Sequence, residues 1–440
     1  MIIIIAIYFA VFTFFAWKNF RVAMIFFILT LPTYLIRFKF GNLPSTLLEV
    51  EFTALLIVWA LKYFKSDWPR ILEIIKKQRG LFIFVGLFFL ASVINIFISG
   101  IDDSNYWHMT VEALGVWRAF FLQPMILFFI LLGRSRAPAS DINARDLMIA
   151  LSFSTVSISV VALIQKFTGQ LYAPQLWDDV LGGRVTAFFT TPNAIGLFVA
   201  PIIFLMIIIL AKKDWSLSAQ MFYSVAASLV LAIFAIWFSY SQGAWVALAA
   251  GVVVFAYLIG WRKIAVVAVL FALAFGLYSP GLRTAILFQD QAGKNRLTIW
   301  SYTETYLTAS PLNFAFGTGI RKFFDKVQKP YYDHKKIEPL LYPHNILLNF
   351  WTETGLLGMI SFTGILVYLF IMTARIWRAE KLLGAGLVAA LMVFCMHGLV
   401  DVPYFKNDLA FGFWMIAFVI LSTSEGSLMK FSKDSSFHSE

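Results

Sequence analysis

The chain has 440 residues, 60% of them hydrophobic and 13% charged, with a mean hydropathy of +0.80. That charged share is about half the share in a soluble domain, and the apolar runs are continuous rather than alternating, so a soluble globular protein and a β-barrel are both excluded. The net charge of +11 does not signal nucleic acid, since most basic residues sit in short loops beside apolar runs, and the single cysteine, Cys395, rules out a disulfide framework or a cysteine metal site.

Thirteen apolar segments follow one another, approximately 2–17, 22–36, 45–61, 81–99, 109–132, 147–165, 193–211, 219–238, 244–260, 264–279, 345–374, 382–400 and 409–422. A hydrocarbon core about 30 Å thick needs about 20 apolar residues per helix. The expected fold class is therefore an all-α polytopic membrane protein with about 12–13 transmembrane helices, the lower count applying if one of the two short first segments does not cross. No cleavable signal peptide is expected, because the first run starts at Ile2 without a basic stretch before it.

Loop charge sets an orientation. One set of loops carries Lys18 and Arg21, the 62–79 cluster, Arg134, Arg136 and Arg145, Lys212 and Lys213, Arg262 and Lys263, Arg375, Arg378 and Lys381, and Lys430 and Lys433. The short loops of the opposite set carry Arg37, Lys39, Lys166, Arg184 and Lys406. By the positive-inside rule the first set is cytoplasmic. The chain then reads as one integral membrane domain, 1–440, with extracytoplasmic loops at about 166–192 and 280–343 and a polar cytoplasmic tail at about 424–440. The second loop stands before the last three helices and is too long for a simple connector, so it is expected to be partly helical. The end of the tail, Ser432–Glu440, is expected to be disordered.

The outer loops hold the chemistry-bearing residues. Pro343-His344-Asn345 closes the large loop, and Gly355 and Gly358 follow inside the next apolar run. His344 thus stands at a water–membrane boundary, where an imidazole can act as a general base; the bland reading is a polar interfacial anchor. The two glycines, three apart, are expected to share one helix face and permit close backbone approach. Arg184 lies in Gly182-Gly183-Arg184-Val185-Thr186, shortly before Asn193 opens the next run. An arginine fork binds phosphate oxygens bidentately, against the simpler reading of an anchor. The large loop contains Arg296 and Trp300, then Gly317-Thr318-Gly319, and has nine Lys or Arg against five Asp or Glu, which attracts anions. Gln242 stands in a short outer turn, Ser239–Trp245, and can hydrogen-bond a sugar or phosphate oxygen.

Several ionisable residues lie within or beside apolar runs: Glu49, Glu51, Glu112, Arg118, His397 and Asp401. Glu112 and Arg118, six apart, are too far for a one-turn pair and are expected to pair across helices. The spacing of His397 and Asp401 makes a hydrogen bond between those two plausible. No metal site is expected. Asp102-Asp103 is an adjacent acidic pair in a short outer loop, and it is more simply read as a solvated turn.

The His344-Asn345 pair with Gly355 and Gly358 at their spacing, together with Arg184, Arg296 and Trp300 in order, resembles the O-antigen ligase and Wzy-type polymerase family. The resemblance implies a GT-C-like helical fold and a glycosyltransferase without cofactor or metal, which moves a glycan from an undecaprenyl-diphosphate carrier to an acceptor hydroxyl with inversion. It implies His344 as catalytic base, Arg184 and Arg296 as diphosphate-binding residues, and Gln242, Asn193, Trp300 and Asn345 as site lining. Relatives often have arginine where Gln242 stands, which removes a third phosphate-binding arginine. The implied partners are the lipid-linked donor, a glycan or lipid-core acceptor and membrane lipids, with no nucleic acid. The implied location is the bacterial cytoplasmic membrane with the active site facing outward. A repeat-unit polymerase differs only in its acceptor. A polysaccharide flippase or secondary transporter would instead show repeat symmetry and charges near the bilayer midplane, and here the polar features crowd one face.

Overall fold

The structure, a computed structural model, describes the chain except residues 1, 41–42, 101–105, 136–141, 172–181, 213–214, 216, 279, 281–282, 285–286, 332–336, 338 and 437–440. Its helices, in chain order, are α1 (Ile2–Lys18), α2 (Phe20–Leu29), α3 (Leu47–Lys62), α4 (Phe64–Lys77), α5 (Arg79–Ile98), α6 (Tyr106–Ser135), α7 (Ala144–Thr168), α8 (Asn193–Ala211), α9 (Ala219–Ser239), α10 (Gln242–Ile259), α11 (Arg262–Tyr278), α12 (Gln291–Thr308), α13 (Pro311–Phe316), α14 (Ile346–Ala379), α15 (Lys381–Gly398) and α16 (Asn407–Ser436). The protein is an all-α polytopic membrane protein. Among the described residues, nine helices are long and apolar enough to cross a membrane: α5 to α10, α14, α15 and the first 18 residues of α16.

Each of the thirteen apolar segments forms helix, but four fall short of that length. α1, α3 and α11 have 17, 16 and 17 residues, or about 24–26 Å at 1.5 Å per residue. α2 has 10 residues and gives way to a 3₁₀ turn over Leu31–Leu35, where Pro32 fits the first positions. The segment 37–46 is a small antiparallel hairpin, β1 (Arg37–Phe40) and β2 (Leu43–Thr46), with Arg37 opposite Thr46. Its second strand leads into α3, where Thr46 and Glu49 form a reciprocal capping box. The basic stretch 64–77 is the amphipathic helix α4 rather than a loop. The last helix runs on to Ser436, where a disordered tail was expected. Its extension contains Glu425, Leu428, Met429 and Lys430, all good helix formers on an already nucleated helix.

Contacts sort the loops into two ends of the bundle. At one end Arg21 pairs with Asp146 at 2.6 Å, Lys62 donates to the Trp17 carbonyl, Asp67 is held by Arg70 and Arg134, and Lys212 pairs with Glu380. At the other end Arg118 pairs with Glu49 at 2.9 Å, Arg184 reaches Ser239, and Arg296 reaches Val400. This is the partition the loop charges gave.

Burial separates a centre from a rim. The spanning window of α8 is 83% buried and that of α16 is 89% buried, whereas those of α9 and α10 are 28% and 22% buried. α9, α10 and α11 accordingly expose Val230, Ile233, Trp237, Val252 and Phe271, as lipid-facing helices must. Under the functional end lies an aromatic cluster of Phe88, Phe121, Phe350, Phe362, Tyr404 and Phe413, with Phe350 and Phe362 stacked 4.0 Å apart. It gives α14 a rigid seat one turn below its first residue.

α14 is not one continuous helix. Gly355 has φ 72 and ψ 177 and breaks it. That conformation is essentially restricted to glycine. The Ala315 carbonyl crowds the place a Cβ would occupy. The expectation that Gly355 and Gly358 share one helix face is therefore corrected: close approach is real, but it comes from a kink. The large loop docks on that kink. Gly317 and Gly319 have φ 69 and φ 83, Thr318 N–H donates to the Thr352 carbonyl at 2.8 Å, and Gly319 lies against the Ser99 backbone.

Candidate functional site

The loop before α8 is pinned immediately after Arg184. The Gln165 side chain, at the end of α7, accepts from the Thr186 and Ala187 amides at 2.9 and 2.8 Å, and Val185 N–H donates to the Phe238 carbonyl at 3.2 Å. Arg184 is thereby held half-buried between α7, α8 and α9. Its Nε donates to the Ser239 carbonyl at 2.9 Å and its Nη2 to Asn193 Oδ1 at 3.1 Å. Burial pulls the guanidinium's pKa below its ordinary value, though an arginine so far above neutrality stays charged.

Asn193, the first residue of α8, passes the contact on: its Nδ2 donates to Asp401 Oδ2 at 3.1 Å. The other oxygen, Asp401 Oδ1, accepts from Val402 N–H at 2.9 Å and faces His344 Nδ1 at 3.2 Å. Asp401 is 4% exposed. Burial alone would raise its pKa. The His344 hydrogen bond and charge, the His397 charge and the Val402 amide outweigh that, and the carboxyl lies well below the usual carboxylate range. An ionised carboxylate can only accept, so Nδ1 of His344 carries the proton in this contact, and in the neutral ring Nε2 is the nitrogen with the free lone pair.

His344 itself has φ 51, a left-handed backbone for a non-glycine residue. Its side chain is 31% exposed, so it is held on one side and open on the other. Asn345 fixes the turn beside it. Asn345 Oδ1 caps α14 by accepting from Leu347 and Leu348 N–H, both at 3.1 Å, and its Nδ2 donates to the Leu399 carbonyl at 3.1 Å.

α12 closes the far side. Arg296 and Trp300, one turn apart, share a helix face. Arg296 Nε donates to the Val400 carbonyl at 3.1 Å and Trp300 Nε1 to the Pro343 carbonyl at 2.8 Å. The terminal nitrogens of Arg296 make no hydrogen bond to the described residues. The structure thus brings Arg184, Asn193, Arg296, Trp300, His344 and Asn345 together around the segment 399–402. Gln242 is exposed at the first turn of α10, just past the turn that receives Arg184, and makes no hydrogen bond to these residues.

Asp401 is the residue the sequence reading misplaced. It was paired with His397 on one-turn spacing, but His397 Nδ1 is buried without a hydrogen-bond partner. The chain leaves the helix at Gly398, which turns the Asp401 carboxylate toward His344 and Asn193 instead. The available signal was position: Asp401 lies just past the end of an apolar run, on the side that carries His344. Arg118 pairs across helices as expected, with Glu49, while Glu51 accepts from Tyr8 and Thr30. The Asp102-Asp103 pair and His334 lie outside the described residues, and His108 is exposed at the start of α6.

The stretch 227–363 matches a family model described as O-antigen ligase. Over that stretch, less than half of the chain, the protein is similar to the O-antigen ligase family. The match contains Gln242, Arg296, Trp300, His344, Asn345 and the helix break at Gly355; Arg184, Asn193 and Asp401 lie outside it and join the site through contacts alone. No curated protein matches the chain. The family region bears out the resemblance drawn from the sequence and supports, broadly, a ligase-like glycosyltransferase acting on lipid-linked glycan and polysaccharide in a multi-pass membrane setting.

Proposed function

We infer that the protein transfers a glycan from an undecaprenyl-diphosphate carrier to an acceptor hydroxyl, in the manner of an O-antigen ligase, on the outer face of the bacterial cytoplasmic membrane. The observation that carries this reading is the contact chain His344–Asp401–Asn193–Arg184, with Arg296 anchored one residue from Asp401. It links a partly exposed imidazole to Arg184 through Asp401 and Asn193, with Arg296 bonded to the same turn at Val400. A transferase for a diphosphate-linked sugar needs those two things: a base at the acceptor and positive charge at the leaving group.

The steps follow from the atoms. His344 Nε2 takes the acceptor hydroxyl proton as the oxygen attacks the anomeric carbon. The bond from that carbon to the diphosphate oxygen breaks, and the diphosphate departs on its lipid. A single displacement inverts the anomeric carbon. Asp401 holds the imidazole tautomer and stabilises the imidazolium that forms, and Arg184 and Arg296 take the charge that a divalent ion takes in other enzymes. A polyprenyl carrier does not leave the bilayer, so the reading requires a site at the interface, which agrees with the position of His344 just before the first residue of α14, a helix long enough to span.

The test is transfer by purified protein in nanodiscs, with lipid-linked glycan and acceptor extracted from the host. His344→Ala is expected to lose about 10²–10⁴-fold in rate with folding intact. Near wild-type transfer by that variant removes His344 from the mechanism.

A further inference from the structure

A cavity of about 270 Å³ opens at the same end of the bundle, between α6 and the large loop. Its wall includes Glu112, Arg321, Asp325, Phe324, Leu340 and Leu341. None of these takes part in the contact chain around His344. Leu341 is nevertheless only three residues from His344, so their Cα atoms lie within about 11 Å even if that stretch is fully extended.

Arg321 is held in this wall at a conformational penalty. It has φ 61, where a glycine would be at ease, while the neighbouring loop positions of positive φ, Gly317 and Gly319, are glycines. A buried carboxylate fixes it there: Glu353 Oε2 accepts the Arg321 N–H at 2.8 Å. A side chain is thus retained where backbone geometry favours none, and that side chain is exposed in the cavity wall.

The lining mixes apolar surface with two carboxylates, the Arg321 guanidinium and the Lys322 ammonium, which lies 3.9 Å from Asp325. With two acidic and two basic side chains the wall offers a diphosphate no net positive charge. The carboxylates accept from sugar hydroxyls, the two cations donate to ring and hydroxyl oxygens, and Phe324, Leu340 and Leu341 cover an apolar sugar face. The volume is slightly below the range of about 300–1,000 Å³ for drug-sized ligands, which suits one sugar ring rather than a chain.

We propose that this cavity is a saccharide subsite, which holds a sugar ring of the same glycan whose reacting end lies at His344. It rests on the transferase reading and adds to it a place where glycan identity is read, away from the diphosphate. The ring comes from either the donor glycan or the acceptor glycan, and the assay below separates them.

Two exposed-residue variants probe it without touching the core: Leu341→Trp, which fills the cavity from a residue that is 56% exposed, and the double variant Glu112→Gln with Asp325→Asn. Full-length protein in nanodiscs is titrated with oligosaccharides released by mild acid from the host's lipid-linked glycans, and separately with inorganic pyrophosphate. Wild type and His344→Ala are expected to bind the oligosaccharide alike, each cavity variant to bind it at least about tenfold more weakly, and pyrophosphate not to compete. In the transfer assay Leu341→Trp raises KM for the donor if the donor's glycan occupies the cavity, or for the acceptor if the acceptor's does. Absence of saturable oligosaccharide binding, unchanged affinity in both variants, or competition by pyrophosphate overturns the subsite. Oligosaccharide binding that meets these expectations in a protein without transfer activity leaves the subsite standing and sinks the transferase reading instead.

Discussion

Asp401 Oδ1 lies 3.2 Å from His344 Nδ1, across 57 residues of chain. α15 and α16 meet at a turn that places the carboxylate against the start of α14. The Asn345 bond to Leu399 and the Arg296 bond to Val400 lock that turn on either side. The imidazole is therefore oriented by the last two helices, although the motif that contains it belongs to the helix before them.

The first prediction concerns that orientation. Asp401→Asn keeps the shape but loses the charge that fixes the Nδ1 proton, and transfer is expected to fall about 10–10²-fold with the protein still folded. The pH dependence has a definite sign. The folded carboxyl's pKa is depressed, so its contribution to stability is present above the unfolded value of about 3.9 and is lost as pH falls through the lower folded value. Asp401 is thus ionised throughout about pH 5–8, and the Asn variant should show the same fractional loss across that window. Rates and thermal unfolding measured side by side check this. A loss confined to one end of the window, or no loss, rejects Asp401 as the orienting group.

The two arginines are expected to respond differently. Arg184 makes two side-chain bonds to the protein, to Ser239 and Asn193, whereas Arg296 makes one, to Val400. Lysine keeps the charge but loses the fork. Arg296→Lys is expected to remain partly active, Arg184→Lys to be less active and less stable, and Arg→Ala at either position to be nearly inactive. If these arginines serve in place of a divalent ion, transfer should also survive EDTA. Full activity of either alanine variant, or activity abolished by EDTA and restored by Mn²⁺, contradicts the assigned role.

Most of the bundle was legible because apolar runs of spanning length leave few alternatives in a bilayer, and the side-chain contacts group the helix ends in the same two sets as the loop charges. The rest depends on contacts that a linear reading lacks. The hairpin at 37–46 is too short to show a clear alternation. The break at Gly355 looks like any glycine in an apolar run until the 315–319 loop is seen against it. In the site, Arg184, Arg296 and His344 were legible by residue type and position. Asp401 was not, because a partner four residues away offered a simpler pairing than one 57 residues away.

Gly355 tests the kink. At φ 72 and ψ 177 a side chain is strained, and the Ala315 carbonyl occupies its space. Gly355→Ala is expected to destabilise the protein by about 1–3 kcal/mol and to lower transfer, since the loop that docks there leads on to Arg321 and His344. Gly412→Ala is the control, because no atom outside its own stretch of helix lies within 4 Å of the added methyl. Equal thermal unfolding temperatures for the two variants in nanodiscs would mean that the kink is not required.

Orientation is the last expectation. The end with Lys62, Arg70, Arg134 and Lys212 should face the cytoplasm, because translocating such loops is unfavourable, and the opposite end, with His344 and both arginines, should face outward. Cys395 is the sole cysteine, so a Cys395→Ala background permits single reporters. Gln242→Cys and Leu341→Cys sample the site end and Lys76→Cys the basic end, and all three positions are exposed. In intact cells an impermeant maleimide should label positions 242 and 341, and position 76 only after permeabilisation. The reverse pattern would put the arginines and His344 in the cytoplasm. A donor whose glycan lies outside could not then reach them, and the proposed reaction would have to be abandoned even if every contact around His344 is correct.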